Sequence, residues 1–382
     1  MKILVLTLSF GSGHVRAAQA VADELSRQAP GSQVLVIDAL DECRPFFRAF
    51  YEWPYWLMLR YAPALWDRFS TARVNQQHQG TAPAWAFQIG CPKVFATIRS
   101  FNPEVIVAAE VAACEMAVIA RRTGLTQAPI LNVITDYEAE PIWVKPEVDA
   151  FAVPDENVRA ELIAWGAPAN RISLCGIPVD RAFDTAHDRL RTIQNLPGGN
   201  EGAPIVLLMG GGMGPTRMDA VVRRLAEHKV PMHIVAIAGK DKRAHRKLKG
   251  LNVERPVSLS VLSWTDNVAA LMQAAAILVT KPGGLTVAEA ALCSLPTVFF
   301  NPIPGAEFVN ARRVVDAGAG VLTNGASETA TTIVSLLANE GRRQAMALAA
   351  RGMARPAARK EIAQLALDLA TPEIEKVRRK TA

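Results

Sequence analysis

Short, unbroken apolar runs recur along the chain, separated by longer stretches whose apolar residues fall three and four apart. A strand buried on both faces of a parallel sheet reads as a continuous run, whereas a half-solvated strand alternates with polar residues. Runs at 3–8, 34–37, 105–108, 130–134 and 150–153 predict strands in the N-terminal half. A second series follows at 205–209, 233–238, 277–279 and 297–300. Helical periodicity fills the gaps at 15–27, 156–165, 217–227 and 285–293. Strand–helix alternation of this kind predicts an α/β protein with parallel, doubly wound sheets.

The series restarts. Gly11-Ser12-Gly13 follows the first strand, and Gly210-Gly211-Gly212-Met213-Gly214 follows a comparable strand in the second half. The chain has 382 residues, and at roughly 100–200 residues per domain that makes two domains. The expected division is 1–180, a linker at 181–203 containing the turn-rich Pro197-Gly198-Gly199-Asn200-Glu201-Gly202, then 204–355 and a charged terminal helix at 356–382. Two Rossmann-like domains facing across a cleft are the reading. One stretch departs from the pattern: Phe46, Phe47, Phe50, Tyr51, Trp53, Tyr55 and Trp56 crowd among Arg44, Arg48 and Arg60, although aromatics make up only 6% of the chain. Aromatics beside arginine suit an interfacial membrane segment. The same residues also suit a helical hairpin packed into the N-terminal core.

Composition narrows the function classes. Half the residues are apolar and a fifth charged, which excludes collagenous, disordered and disulfide-stapled chains. Lys+Arg 42 against Asp+Glu 36 gives +6, an excess that favours phosphate groups or acidic lipid surfaces. The run from Lys240 to Lys249 lacks interleaved aromatics, so it reads as a solvated helix face and not as a nucleic-acid site. Cys43, Cys91, Cys114, Cys175 and Cys293 are scattered without a C-x-x-C pair, which predicts neither disulfide nor zinc site and a reducing cytosol. The apolar stretch 105–120 carries Glu110 and Glu115 and is too short to span a bilayer. The N-terminal apolar run leads directly into the glycine loop, as a first strand does and a secretory leader does not.

Candidate chemistry lies where strands end. Gly11-Ser12-Gly13-His14 sits at a strand-to-helix turn, where His14 could act as a general base or be a solvated or core histidine. The loop is not the dinucleotide fingerprint, because Arg16 stands where its third glycine would fall. Asp38, at the end of the second strand, nevertheless keeps a nicotinamide oxidoreductase in view. The four glycines from Gly210 to Gly214 suggest ligand atoms passing over backbone. In Thr280-Lys281-Pro282-Gly283-Gly284-Leu285-Thr286, the amides of Gly283, Gly284, Leu285 and Thr286 would face a diphosphate, with Lys281 as a nearby cation. Glu289 would accept from two ribose hydroxyls, or else be a surface carboxylate of its helix. The loop from Pro302 to Asn310 could bind sugar hydroxyls. Thr135-Asp136-Tyr137-Glu138-Ala139-Glu140 gathers three carboxylates at a strand end, as site residues or as surface acids. D-x-D, H-E-x-x-H and the Walker motif are absent from the sequence.

Together these segments resemble the monogalactosyldiacylglycerol synthase and processive diacylglycerol glycosyltransferase family and, more distantly, the N-acetylglucosaminyltransferase that makes the peptidoglycan lipid precursor. The resemblance runs through Ser9-Phe10-Gly11-Ser12-Gly13-His14, Thr135-Asp136-Tyr137, Cys175-Gly176-Ile177-Pro178-Val179, Gly210–Gly214, Trp264-Thr265-Asp266-Asn267, Thr280–Glu289 and Asn301–Gly305. It implies a GT-B fold and an inverting transfer of galactose or glucose from a UDP-hexose to a lipid, diacylglycerol above all, at the inner face of the cell membrane. No metal or other cofactor is implied. The resemblance also implies an anionic membrane surface as partner, with no nucleic acid. By position it puts Gly212, Gly214, Trp264, Lys281, Gly283, Gly284, Leu285, Thr286, Glu289, Glu307 and Asn310 in the donor site. His14 and Asp136 become the catalytic candidates. Gly11, Gly13, Phe46, Phe47, Trp53, Tyr55 and Trp56 fall in the acceptor and membrane region. The chain departs from the family's pattern at Tyr137-Glu138-Ala139-Glu140 (for F-x-x-H after T-D), at Ala306 (for the glutamine of P-G-Q-E) and at Ala109-Glu110 (for Thr-His). Other classes on such a scaffold are a UDP-sugar epimerase or hydrolase and a non-catalytic nucleotide-sugar-binding protein.

Overall fold

The structure is a computed structural model that describes residues 1–9, 11–61, 83–210, 217–302 and 305–371. It divides into two units, Met1–Asp180 joined by the chain from Ala357 onward, and Arg181–Pro356.

The first unit is built on β1 (Lys2–Thr7), β2 (Gln33–Asp38), β3 (Val105–Ala108), β4 (Ile130–Val133), β5 (Ala150–Val153) and β6 (Ile172–Leu174), all parallel in the order β2-β1-β3-β4-β5-β6. Side chains alternate across a strand, and here both sets are apolar. Ile3, Val5, Val107 and Leu131 pack with the helix Ser12–Gln28, and Leu4, Leu6, Ile106 and Ile130 pack with Pro92–Phe101 and Val111–Arg122. Local signals set the helix ends. Pro92 opens its helix without losing a needed donor, Asn102 closes it in the left-handed region, and Asp155 caps Glu156–Ala164 by accepting from Val158 N at 2.8 Å.

The second unit is built on β7 (Ile205–Met209), β8 (Met232–Ile237), β9 (Val257–Leu262), β10 (Ile277–Thr280), β11 (Thr297–Phe300) and β12 (Gly320–Thr323), again all parallel, in the order β12-β11-β10-β7-β8-β9. Strand order reverses between β1 and β3 in the first sheet and between β7 and β10 in the second. In open α/β sheets, ligands bind outside the strand ends at such points. Beyond β8 the second sheet adds β9, whereas beyond β2 the first unit sends its chain into the aromatic helix Pro45–Tyr61.

Four expectations are corrected. Strands β6, β9 and β12 carry no continuous apolar run. They are sheet edges, and β9 reads Val-Ser-Leu-Ser-Val-Leu because only one face needs to be apolar. The 181–203 segment is not a free linker. Ile193 and Leu196 join the second core beside Leu271 and Met272, and His187 N and Thr185 O hold the Gln273 amide at 2.9 Å each. The terminal helix Ala358–Ala370 is a working part of the first unit. Ile362, Ala363 and Ala366 are wholly buried against β3, β4 and the Ser12–Gln28 helix, and burying Ile362 alone stabilises by about 2 kcal/mol. Finally, Cys43 and Cys91 form a disulfide, against the expectation of none. Forty-eight residues separate them, and only the fold reveals their proximity.

A buried polar chain fastens the 181–203 segment. Ser260 Oγ donates to Pro197 O at 2.5 Å, and His233 lies 3.0 Å from the same oxygen through Nε2 and 2.6 Å from Ser258 Oγ through Nδ1. A serine has one proton to give. Ser260 therefore accepts from His233 Nε2–H, and Nδ1 accepts from Ser258. Burial lowers the His233 pKa, which favours this neutral tautomer.

Candidate active site

In the first unit, Gly11 precedes the Ser12–Gln28 helix at φ 150°, where a side chain would be strained. The helix starts earlier than the periodicity suggests, so Gly13 and His14 lie in its first turn and not in the loop. His14 Nδ1 is 2.6 Å from Thr135 Oγ1. This bond joins the chain after β1 to the chain after β4 and brings the G-S-G-H and T-D motifs together, 121 residues apart in sequence. In the tautomer that leaves Nε2 open as a base, Nδ1–H donates to Thr135, and the buried threonine fixes the ring plane. Asp136 follows directly. Asp38 is not poised for a ribose, because its Oδ1 accepts from Ser9 N and Leu40 N at 3.1 Å each and so shapes the glycine loop.

Glu110 could have been seen in the sequence only as a departure. It caps Val111–Arg122, and its Oε2 accepts from Ala112 N at 2.7 Å and Ala113 N at 3.1 Å. On that helix, Glu115 forms a buried pair with Lys145 at 3.0 Å.

In the second unit, the helix Gly284–Leu292 begins just past β10 and no side chain caps it. Gly283 N is taken by Lys281 O at 3.0 Å, so the first-turn donors are Gly284, Leu285 and Thr286, one fewer than expected. A Cβ on Gly283 would meet nothing within 4 Å among the described residues. Lys281 is held by Glu307, Nζ to Oε1 3.7 Å, so these two expected donor contacts restrain each other. Asn310 is wholly buried and donates to Pro282 O at 3.0 Å, which positions the glycine turn. Glu289 is 3% exposed, and burial together with its charge pushes the Cys293 thiol up to about 12. Trp264, after β9, has Lys240 Nζ 5.1 Å from its ring centroid. Gly212 and Gly214 lie outside the described residues.

The aromatic segment forms the helix Pro45–Tyr61, whose described aromatics divide between the core and the surface. Phe47 is core: it packs on Phe87 at 5.8 Å and against Gly90, whose missing Cβ makes room for the ring. The expectation that Phe47 meets the acceptor or membrane is therefore corrected. Phe46, Trp53, Leu57 and Tyr61 are exposed, Trp53 by 75%, and their spacing of seven, four and four places them along one helical stripe. Trp85 and Ile89 are exposed one turn apart on Ala84–Gly90. The side chains of Tyr55 and Trp56 lie outside the described residues. Among the described residues, no helix is long and apolar enough to cross a membrane, and no three His, Cys, Asp or Glu side chains gather as a metal ion would require.

Comparison with known proteins agrees with this layout. Residues 14–179 match the monogalactosyldiacylglycerol (MGDG) synthase family, and residues 205–366 match the glycosyltransferase family 28 C-terminal domain. A processive diacylglycerol beta-glucosyltransferase of Bacillus cereus (strain AH187) is 26% identical over 366 residues, which cover 93% of this chain and 90% of that protein. Among solved structures, Acinetobacter baumannii MurG superposes with a TM-score of 0.62 at 16% identity, covering 96% of this chain and 99% of that one. A Neisseria meningitidis UDP-GlcNAc 2-epimerase bound to UDP-GlcNAc gives 0.64 at 14% identity, covering 96% and 100%. At such identities the structural likeness is one of fold. The chain thus matches the MGDG synthase family over its N-terminal half and the glycosyltransferase family 28 C-terminal domain over its C-terminal half, on the GT-B fold.

Proposed function

We propose that this protein is an inverting glycosyltransferase that moves a hexose from a UDP-sugar to the free hydroxyl of diacylglycerol. The carrying observation is the uncapped start of Gly284–Leu292 at the reversal point of the second sheet, which offers three amides and a positive helix end to a diphosphate. The acceptor oxygen attacks the anomeric carbon as the bond to UDP breaks. Its proton passes to His14 Nε2, with Asp136 as the other base within the same loop pair, and UDP leaves with the bonding electrons. The amides and Lys281 stabilise the departing charge electrostatically, so the reaction is expected to run without a metal. Glu289 serves the ribose and Trp264 the base. The exposed stripe of Phe46, Trp53, Leu57 and Tyr61 holds the first unit on the membrane from which the lipid is taken.

The test is incubation with UDP-glucose or UDP-galactose and diacylglycerol vesicles in the presence of EDTA, followed by mass analysis of the lipids. A lipid heavier by one hexose supports the reading. UDP release or epimer formation with no glycolipid would overturn it in favour of a hydrolase or epimerase.

A further inference from the structure

The His14–Thr135 bond bridges the chain beyond β1 and β4, and β3 runs between those two strands. It therefore spans the end of β3, where Ala109 is tied to Leu6 O at 3.0 Å and Glu110 follows. Glu110 thus stands at the first sheet's reversal point, on the strand end that the His14–Thr135 bond spans. A helix start at that position commonly receives an anionic group of a ligand. Here the protein's own carboxylate occupies it, 9% exposed and bonded to two of the first-turn amides. N-caps are ordinarily served by the short side chains of Ser, Thr, Asp or Asn. A glutamate there brings a full negative charge that a hydroxyl cap would not. On β4, in register with Ala108, Asn132 faces the same helix, wholly buried, with neither amide atom hydrogen-bonded among the described residues. Asn132 contributes a neutral donor and acceptor, and Asp136 a second carboxylate.

We propose that Glu110 sets the charge class of the acceptor: it restricts the acceptor end of the first unit to uncharged, hydroxyl-bearing lipids and turns away lipids carrying a phosphate. A phosphate brought to this helix start meets a fixed like charge and finds the amides already bonded. A neutral alcohol incurs neither penalty. The inference rests on the first unit being the acceptor side, as proposed above.

Glu110→Gln keeps an oxygen for the two amides and removes the charge; Glu110→Asp keeps the charge on a shorter arm. Each protein is given UDP-hexose and phosphatidylcholine vesicles holding equal amounts of diacylglycerol and phosphatidylglycerol, whose headgroup carries both a phosphate and free hydroxyls. The readout is the ratio of the two glycosylated products, which does not depend on how much enzyme is folded. The wild type and Glu110→Asp should favour diacylglycerol strongly, and in Glu110→Gln the ratio should fall by about tenfold or more, the size of effect that removing one close like charge gives. An unchanged ratio in Glu110→Gln, or a wild type that accepts both lipids equally, would overturn the proposal. Calorimetric titration with inorganic phosphate, with UDP saturating the second unit, provides an independent arm. Glu110→Gln should bind phosphate that the wild type does not, and identical titrations would count against Glu110. A wild type that glycosylates neither lipid would refute the proposed function, while the phosphate titration would still decide the role of Glu110.

Discussion

Acid should loosen the first unit through the carboxylate of Glu24. Glu24, 2% exposed on the Ser12–Gln28 helix, accepts from Arg27 Nη2 at 2.5 Å and Gln28 Nε2 at 2.8 Å, and Arg359 Nε of the terminal helix lies 3.5 Å away. The Arg27 hydrogen bond, opposed by burial and assisted by Gln28 and the charges of Arg27 and Arg359, lowers its pKa from 4.5 to about 2. The unfolded chain therefore takes up the proton first. The stabilisation is complete above pH 4.5 and is lost as the pH falls through about 2. At about 1.36 kcal/mol per pKa unit, the carboxylate contributes roughly 3 kcal/mol at neutral pH. That is an upper figure, because Arg27 is half exposed and solvent screens it. Hydrogen exchange of the peptide covering Ala358–Ala370 reports on this unit alone. Between pH 5 and pH 2.5, its protection in the wild type should fall by about 2 kcal/mol more than in Glu24→Gln measured in the same buffers. At neutral pH, Glu24→Gln should already be less stable by about 3 kcal/mol, since Arg359 keeps its burial and loses a carboxylate. Parallel pH curves for the two proteins would refute the reasoning.

Thr135→Val should lower kcat by about tenfold while leaving the donor KM where it was, because it releases the His14 ring without touching the second unit; an unmoved kcat would remove the orienting role. Glu289→Ala should raise the donor KM by about tenfold or more, as expected when a buried acceptor for a sugar hydroxyl is lost, and an unchanged KM would end the ribose assignment. Paired Trp53→Asp and Leu57→Asp changes on the exposed stripe should release the protein from sedimenting vesicles yet leave its melting temperature within a degree or two, as surface substitutions do. The depressed pKa of His233 places its stabilisation above its ordinary value of about 6.5 and removes it as the pH falls below that value. Urea denaturation between pH 7 and pH 5 should therefore show a steeper loss in the wild type than in His233→Gln.

The interior of each sheet could be read from sequence because burial on both faces leaves little room for polar residues, and β3, β5, β7 and β11 are accordingly short apolar runs with clear ends. The edge strands β6, β9 and β12 lose that signature, and β9 alternates serine with apolar residues. Where the terminal helix docks is illegible for a related reason. Charges at Arg359, Lys360 and Glu361 surround an apolar stripe of Ile362, Ala363 and Ala366, and nothing local says which sheet the stripe will cover. At the site, residue types were legible and partners were not. The sequence marks His14 and Thr135 as interesting separately, but only parallel pairing of β1, β3 and β4 puts them 2.6 Å apart. Lys281, Glu307 and Asn310 carry the chemistry of ligand contacts, yet in the fold the first two restrain each other and the third holds the glycine turn. Polar residues near a loop can serve the ligand or the loop, and spacing alone does not separate the two.

The two sheets invite one further comparison. In each, the first helix past the reversal point starts at the end of the strand beside the founding strand: Val111–Arg122 after β3, Gly284–Leu292 after β10. Backbone geometry gives both helix starts the same donors and the same partial positive charge. What differs is the residue at the cap. Glu110 fills one start with a carboxylate, and Gly283 leaves the other without even a Cβ. Under the proposed function, the bare start would take the doubly phosphorylated donor, and the start filled by Glu110 would face the neutral alcohol.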